Sequence, residues 1–166
     1  MRTLVALGLL STTLVASAST TKLYLIIDKS HHRLFVMHGR HVEKSYPCVF
    51  GRNPSDDKVC EGDSRTPEGL FHIARMYPHR LWSRFMLLDY PNAASWAKFR
   101  HNRATGRLPK GATVGSAVGI HGVPAGYDSA IDQDQNWTLG CISLKTADIK
   151  ELYSLCRVGT KVRIVH

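Results

Sequence analysis

Cysteine is scarce in this 166-residue chain, and its four copies never form a C-x-x-C pair, which leaves a structural zinc site with little support. Acidic side chains are also few. Thirteen Asp and Glu stand against 22 Lys and Arg, for a formal net charge of +9. That excess favours anionic surroundings such as envelope polymers or membrane surfaces. It does not favour nucleic acid, because the cations are scattered and not stacked along one helix. After the opening segment no apolar run is long enough to span a bilayer, and there is neither an internal repeat nor a low-complexity tail.

What is present suits one soluble domain with a real core: 43% of residues are hydrophobic and 21% charged. The start is different. Arg2 precedes an apolar stretch from Leu4 to Val15, and Ala16 to Ala18 read "ASA", a small-residue cleavage pattern. This is the layout of a secretory signal peptide, and its apolar stretch is shorter than the ~20 residues of a membrane span. The expectation is a signal over residues 1–18 and one domain over 19–166, exported to the periplasm or cell envelope of a bacterium. Export would carry Cys48, Cys60, Cys141 and Cys156 into an oxidising space, where three complete pairings exist.

The domain opens with strand signals. Leu23, Leu25 and Ile27 alternate, as do Leu34, Val36 and His38, and "HVEKSYPCVF" follows Gly39-Arg40. Pro47 marks the third strand as an edge or a bulge. A long Gly/Pro/Asp/Ser loop follows. "GLFHIAR" reads as a short strand, "RFMLLDYPN" as another, and "AASWAKFRHNRATGR" as helical, with Gly106 near its stop. Ala117 to His121 form a strand that enters a Gly/Pro loop. Near the end, Thr146 is the expected N-cap of a helix with Asp148 and Glu151 in its first turn. Ile149, Leu152, Tyr153 and Cys156 form its core stripe, Gly159 ends it, and "KVRIV" closes as a strand.

The chemistry centres on "NWTLGCISL", Asn136 to Leu144, and on His121-Gly122 in "VGIHGVP". Cys141 reads in three ways: a nucleophile, half of a disulfide, or a buried small residue. A nucleophilic thiol wants a partner imidazole to ionise near neutral pH, and His121 stands at a strand end. Gly140 permits tight geometry, so N–H groups near Gly140 and Cys141 are candidates for an oxyanion hole.

The stretch "IHGVPAGYDSAIDQDQNWTLGCISL" resembles the catalytic motif of the L,D-transpeptidase family (YkuD-type domain), in which His-Gly precedes Ser/Thr-x-Gly-Cys. "EGDSRTPEGLFHI" looks like that family's Gly-Asp-x-x-Thr-Pro-Glu-Gly segment. The opening "DKSHHRLFVMHGRHVEKSYPCVFG" looks like its first hairpin, and "GTKVRIV" like its last strand. The resemblance implies a mainly β fold, a YkuD-like β-sandwich or meander with one or two helices, the clearest following Cys141. It implies Cys141 as nucleophile and His121 as proton acceptor and donor. Gly122 falls where a local group orients the imidazole, and Thr138 and Gly140 fill the Thr and Gly places of the motif. Leu139 stands where many members have His, and Ser143 where many have Arg. A cationic clamp for a substrate carboxylate must then come from elsewhere, with Arg65 or Arg84 as candidates.

The implied reaction is acyl transfer on peptidoglycan stem peptides, to an amine or to water, with no metal and no cofactor. The Thr-x-Gly-Cys form joined to "EGDSRTPEG" is similar to a branch that includes enzymes cutting peptidoglycan attachments, so a covalently attached envelope protein is a further candidate partner. A non-catalytic envelope-binding module is the reading of another class. Papain-like and amidase families place Cys before His, the reverse of the order here. Cys48 and Cys60 flank a short loop and are the candidate disulfide, with Cys141–Cys156 as the competing pair. Cys156 reads as core, Trp96 and Trp137 as packing residues, and Asp63 and Glu68 as turn caps.

Overall fold

Alternating apolar residues build the first sheet strands. The computed structural model describes residues 22–166, so the export signal expected over 1–18 lies outside the described residues. Strands β1 (Leu23–Asp28), β2 (Arg33–His38) and β3 (His41–Pro47) form an antiparallel meander. Leu25, Ile27, Leu34 and Val36 point inward and are fully buried, each contributing roughly 2 kcal/mol of apolar burial. β3 is an edge strand, where the missing N–H of Pro47 costs no ladder bond.

The sheet continues through β4 (Gly69–His79), β5 (Ser83–Leu88), β6 (Gly119–Gly122), β7 (Ile142–Leu144) and β8 (Lys161–Val165). Its order is β3-β2-β1-β8-β4-β5-β6-β7. The last strand is thus inserted at the centre, parallel to β1 and antiparallel to β4. β4 has 11 residues, longer than the short strand expected. Its first residues, Gly69 to His72, pair with β8. Its later part pairs with β5, after an irregularity between Ile73 and Arg75. β4 therefore joins two half-sheets, and one cluster of buried side chains draws on both: Leu25, Ile27, Val162 and Ile164 with Met86, Leu88, Ile120 and Ile142. The mainly β architecture is as expected.

Among the described residues there are three helices where one or two were expected: α1 (Ala93–Ala104), α2 (Ser129–Asp132) and α3 (Thr146–Leu155). α2 is a single turn. Asn92 caps α1 through Oδ1, which accepts from Ser95 N at 3.1 Å. Thr146 does not cap α3. Its own N–H donates to Asp128 Oδ1 at 2.8 Å, so a distant carboxylate does the capping. Ile149 and Leu152 are fully buried, and the helix packs on β5 and β6. It stops at Leu155, before Gly159; of the two acidic residues expected in its first turn only Asp148 lies there, while Glu151 sits one turn further on and meets Lys44 (2.6 Å) and the Tyr46 hydroxyl (2.9 Å).

All four cysteines carry free thiols, so the Cys48–Cys60 disulfide is not formed. Both side chains are instead absorbed into the apolar core. Burial pushes the Cys48 thiol far up, and that of Cys156, half-buried against the same core, up to about 12. Among the described residues, no helix is long and apolar enough to cross a membrane.

Candidate active site

Two short parallel strands bring the candidate residues together. Ile120 pairs with Ile142 and His121 with Ser143, so Cys141, one step before β7, falls beside Gly119. Strand side chains alternate, which puts Cys141 and His121 on one face. Both line a cleft of about 760 Å³, together with Trp82, Trp137, Arg52 and Lys58.

His121 is 2% exposed. The Trp82 ring stacks on it at 4.3 Å, the Phe85 ring lies nearly parallel at 5.6 Å, and Trp137 meets it edge-on at 5.6 Å. Its Nδ1 is 2.7 Å from the Gly122 carbonyl. A carbonyl only accepts, so Nδ1 carries the hydrogen and Nε2 keeps the lone pair. Burial lowers the imidazole pKa from 6.5 to about 4, opposed by the Gly122 bond and assisted by the charge of His79. The Gly122 carbonyl accepts from the ring and so fixes its rotation. A Cβ there would stand 2.7 Å from the Trp82 carbonyl and 2.8 Å from Ile149 Cγ2, so no larger residue fits.

Cys141 is half-buried and its Sγ–H points to the Ala117 carbonyl at 3.6 Å. Burial raises the thiol pKa, while a backbone hydrogen bond from Gly119 and the charge of Lys58 pull it down. Burial thus disfavours the charged form of both the thiol and the imidazole.

Thr138 organises the turn before Cys141. Its hydroxyl donates to the Cys141 carbonyl at 2.7 Å and accepts from Gly140 N at 3.1 Å. The Gly140 N–H is therefore occupied, contrary to the expectation that it stands free for an oxyanion. The Cys141 N–H has no partner among the described residues. Gly140 has a φ of +138°, and a Cβ there would come 2.7 Å from the Arg65 carbonyl. Glycine is required for both reasons.

Arg65 does not face the cleft. Its Nη2 pairs with Asp56 at 3.0 Å and its Nη1 donates to the Asp57 carbonyl at 3.4 Å, because the acidic 56–57 step lies closer than the cleft. Arg84 is held over the Tyr153 ring and by the Ser83 carbonyl. The cations on the cleft are Arg52 and Lys58, neither of which sequence reasoning selected. Arg52 follows Gly51, whose bridge to Thr138 ties this segment to the Cys141 turn, and its Nε donates to the Trp137 carbonyl at 3.2 Å. Asp63 does cap a turn, accepting from Val59, Cys60 and Arg65 N–H groups, whereas Glu68 pairs with Lys29 at 2.7 Å. Trp137 packs on His121 and also walls the cleft. Among the described residues, no group of three or more His, Cys, Asp or Glu side chains converges as metal ligands.

The family model of the YkuD L,D-transpeptidase catalytic domain matches residues 22–164. No curated protein matches the chain. Among solved structures, Bd1075 of Bdellovibrio bacteriovorus is 19% identical with a TM-score of 0.60, covering 90% of this chain and 49% of that one. The helical cell shape determining protein of Campylobacter jejuni is 19% identical with a TM-score of 0.60, covering 86% of this chain and 46% of that one. A mutant of Enterococcus faecium L,D-transpeptidase is 15% identical with a TM-score of 0.56, covering 86% and 49%. The chain spans about half the length of these structures, and at such identities the likeness is one of fold.

Proposed function

This chain belongs to the YkuD family of L,D-transpeptidase catalytic domains, and from that premise we propose that it is an exported cysteine acyltransferase acting on peptidoglycan stem peptides through a thioester on Cys141. The observation that carries the reading is that His121 and Cys141 open on one cleft, with Nδ1 committed to Gly122 and Nε2 left as the base. Export rests on the signal layout of residues 1–18.

The chemistry follows from the resting state. Because burial disfavours the charged form of both groups, the proton moves as the sulfur attacks and not before. Sγ adds to the carbonyl that joins the L-centre of a diamino acid to the terminal D-residue, and His121 Nε2 takes the thiol proton. The Cys141 N–H faces the developing oxyanion. His121 then hands its proton to the departing amine, leaving a thioester. The indole of Trp82 stacked on the ring keeps water from the base until substrate fills the cleft.

The second half-reaction needs an amine, which gives a cross-link or an attachment to an envelope protein, or water, which gives cleavage. Hydrolysis is the second reading, and a specific feature favours it. Leu139 is 72% exposed and Ser143 is fully buried, so neither position of the motif offers an imidazole or guanidinium to hold an acceptor. The test is to incubate the protein lacking residues 1–18, with Cys141→Ala beside it, with tetrapeptide muropeptides and with intact sacculi. Loss of terminal D-Ala with joined stems, in wild type only, is the expected result. Release without joining assigns the hydrolytic reading. Identical behaviour of the two proteins, with no acyl-enzyme mass, leaves an envelope-binding module as the better account.

A further inference from the structure

A buried ammonium lies beneath the Cys141 turn. Lys58 is 8% exposed and lines the same cleft as Cys141 and His121. Its Nζ is 3.9 Å from where a Cβ on Gly140 would stand. A lysine in such a position costs free energy unless it is paired. Here Nζ donates to Asp63 Oδ1 at 2.6 Å and to the Cys60 carbonyl at 3.1 Å.

The pair is unevenly compensated. Asp63 also accepts from the backbone N–H groups of Val59 (2.7 Å), Cys60 (3.1 Å) and Arg65 (3.0 Å), so its charge is met by four donors. An ammonium has three hydrogens, and two are used. The third has no partner among the described residues, and Gly140 lies on the open side of Nζ at the 3.9 Å approach given above. The other charged groups on this cleft are accounted for. Arg52 is exposed and tied to the Trp137 carbonyl, Glu61 is exposed and accepts from the Thr113 hydroxyl, and His121 is neutral. Gly140 N–H is engaged by Thr138, which leaves a new oxyanion short of a donor.

We propose that Lys58 is the electrostatic partner of the Cys141 centre, its ammonium meeting the negative charge that forms on the sulfur and on the oxyanion beside Gly140. This rests on the reading of Cys141 as nucleophile. As the S–C bond forms, the thiol proton passes to His121 Nε2 and the carbonyl π pair moves onto oxygen. Lys58 keeps its own proton throughout. When the C–N bond breaks, the pair returns to the carbonyl and the amine leaves with the proton from His121. The downward pull of Lys58 on the Cys141 thiol acts in the same sense.

The test uses four variants of the whole domain: K58R, K58M, D63N and K58M/D63N. The double variant removes both charges and so avoids leaving Asp63 buried without its partner. Two quantities are read, the pH midpoint of Cys141 alkylation by iodoacetamide and the rate of acylation by a carbapenem, with thermal melts to verify folding. In K58M/D63N the midpoint rises by about one pH unit and acylation slows ~10- to 100-fold, while K58R recovers most of both. D63N keeps the lysine and removes the opposing charge, so its midpoint falls. A folded double variant with the midpoint and acylation rate of wild type overturns the proposal, and so does a D63N midpoint that rises. If wild type is never acylated yet the midpoint follows Lys58, the acyl-transfer reading and the oxyanion role fall, and the action of Lys58 on the Cys141 thiolate stands. If wild type is acylated and the Lys58 variants match it, the reverse holds.

Discussion

The Thr138 hydroxyl donates to the carbonyl of Cys141 across 2.7 Å, and the same oxygen accepts the N–H of Gly140. One side chain thereby sets the backbone on both sides of the Gly140–Cys141 peptide. Thr138 is 4% exposed, so neither bond is replaced by water when the hydroxyl is lost.

Thr138→Val is therefore expected to slow carbapenem acylation of Cys141 roughly tenfold and to cost about 1–2 kcal/mol of stability. Thr138→Ser keeps the hydroxyl and restores most of the rate. Stopped-flow acylation with denaturant melts separates the two effects. Equal rates in the Val and Ser variants would remove Thr138 from the site.

Acid stability should report His121. Its pKa falls from 6.5 in the unfolded chain to about 4 in the fold, because burial disfavours the charged ring. Between those values the unfolded chain binds a proton that the folded chain does not. Stability is thus lost as the pH drops from 6.5 toward 4, by about 3 kcal/mol in all. His121→Phe can occupy the same slot between Trp82 and Phe85, and its melting temperature should fall less across this window. Parallel pH profiles of the two proteins would contradict the assignment.

Thiol titration checks the cysteine assignment. With all four thiols free, denatured protein reacts with four equivalents of a thiol reagent without reduction. Native protein reacts first at Cys141, since Cys48 and Cys60 are buried in the core and the Cys156 thiol is raised to about 12. Two equivalents in the denatured oxidised protein, with the label found on Cys141 and Cys156 by peptide mapping, would show that Cys48 and Cys60 do pair.

The two arginines near the turn should separate cleanly. Arg52→Gln removes an exposed guanidinium from the cleft and is expected to raise KM for a stem peptide with free carboxylates by roughly tenfold, with kcat little changed. Arg65→Gln breaks the Asp56 pair and should leave KM within about twofold. A steady-state series on both variants decides, and a KM effect confined to Arg65 would reverse the assignment.

Much of this arrangement is legible in the sequence where it is local. The alternation of Leu23, Leu25 and Ile27 marks a strand because side chains of period two reach one face. The spacing of Ile149 and Leu152 marks a helix face for the corresponding reason. The His-Gly and Thr-x-Gly-Cys motifs mark the two segments of the site in the sequence, whereas the bonds inside them, His121 to Gly122 and Thr138 to Cys141, came from the structure.

What the sequence determined alone is therefore the periodicity of the elements, the turns that glycine and proline allow, and the motif that singles out Cys141 and His121 as the candidate pair. Only the tertiary structure decided which groups meet across long separations. It gave Asp128 the cap of α3, set β8 between β1 and β4, turned Arg65 toward Asp56 and buried Lys58 under Gly140. Period and turn preferences act over a few bonds and can be read residue by residue. The partner of a buried charge or the neighbour of a strand is chosen by the packing of the whole chain, which no single stretch contains.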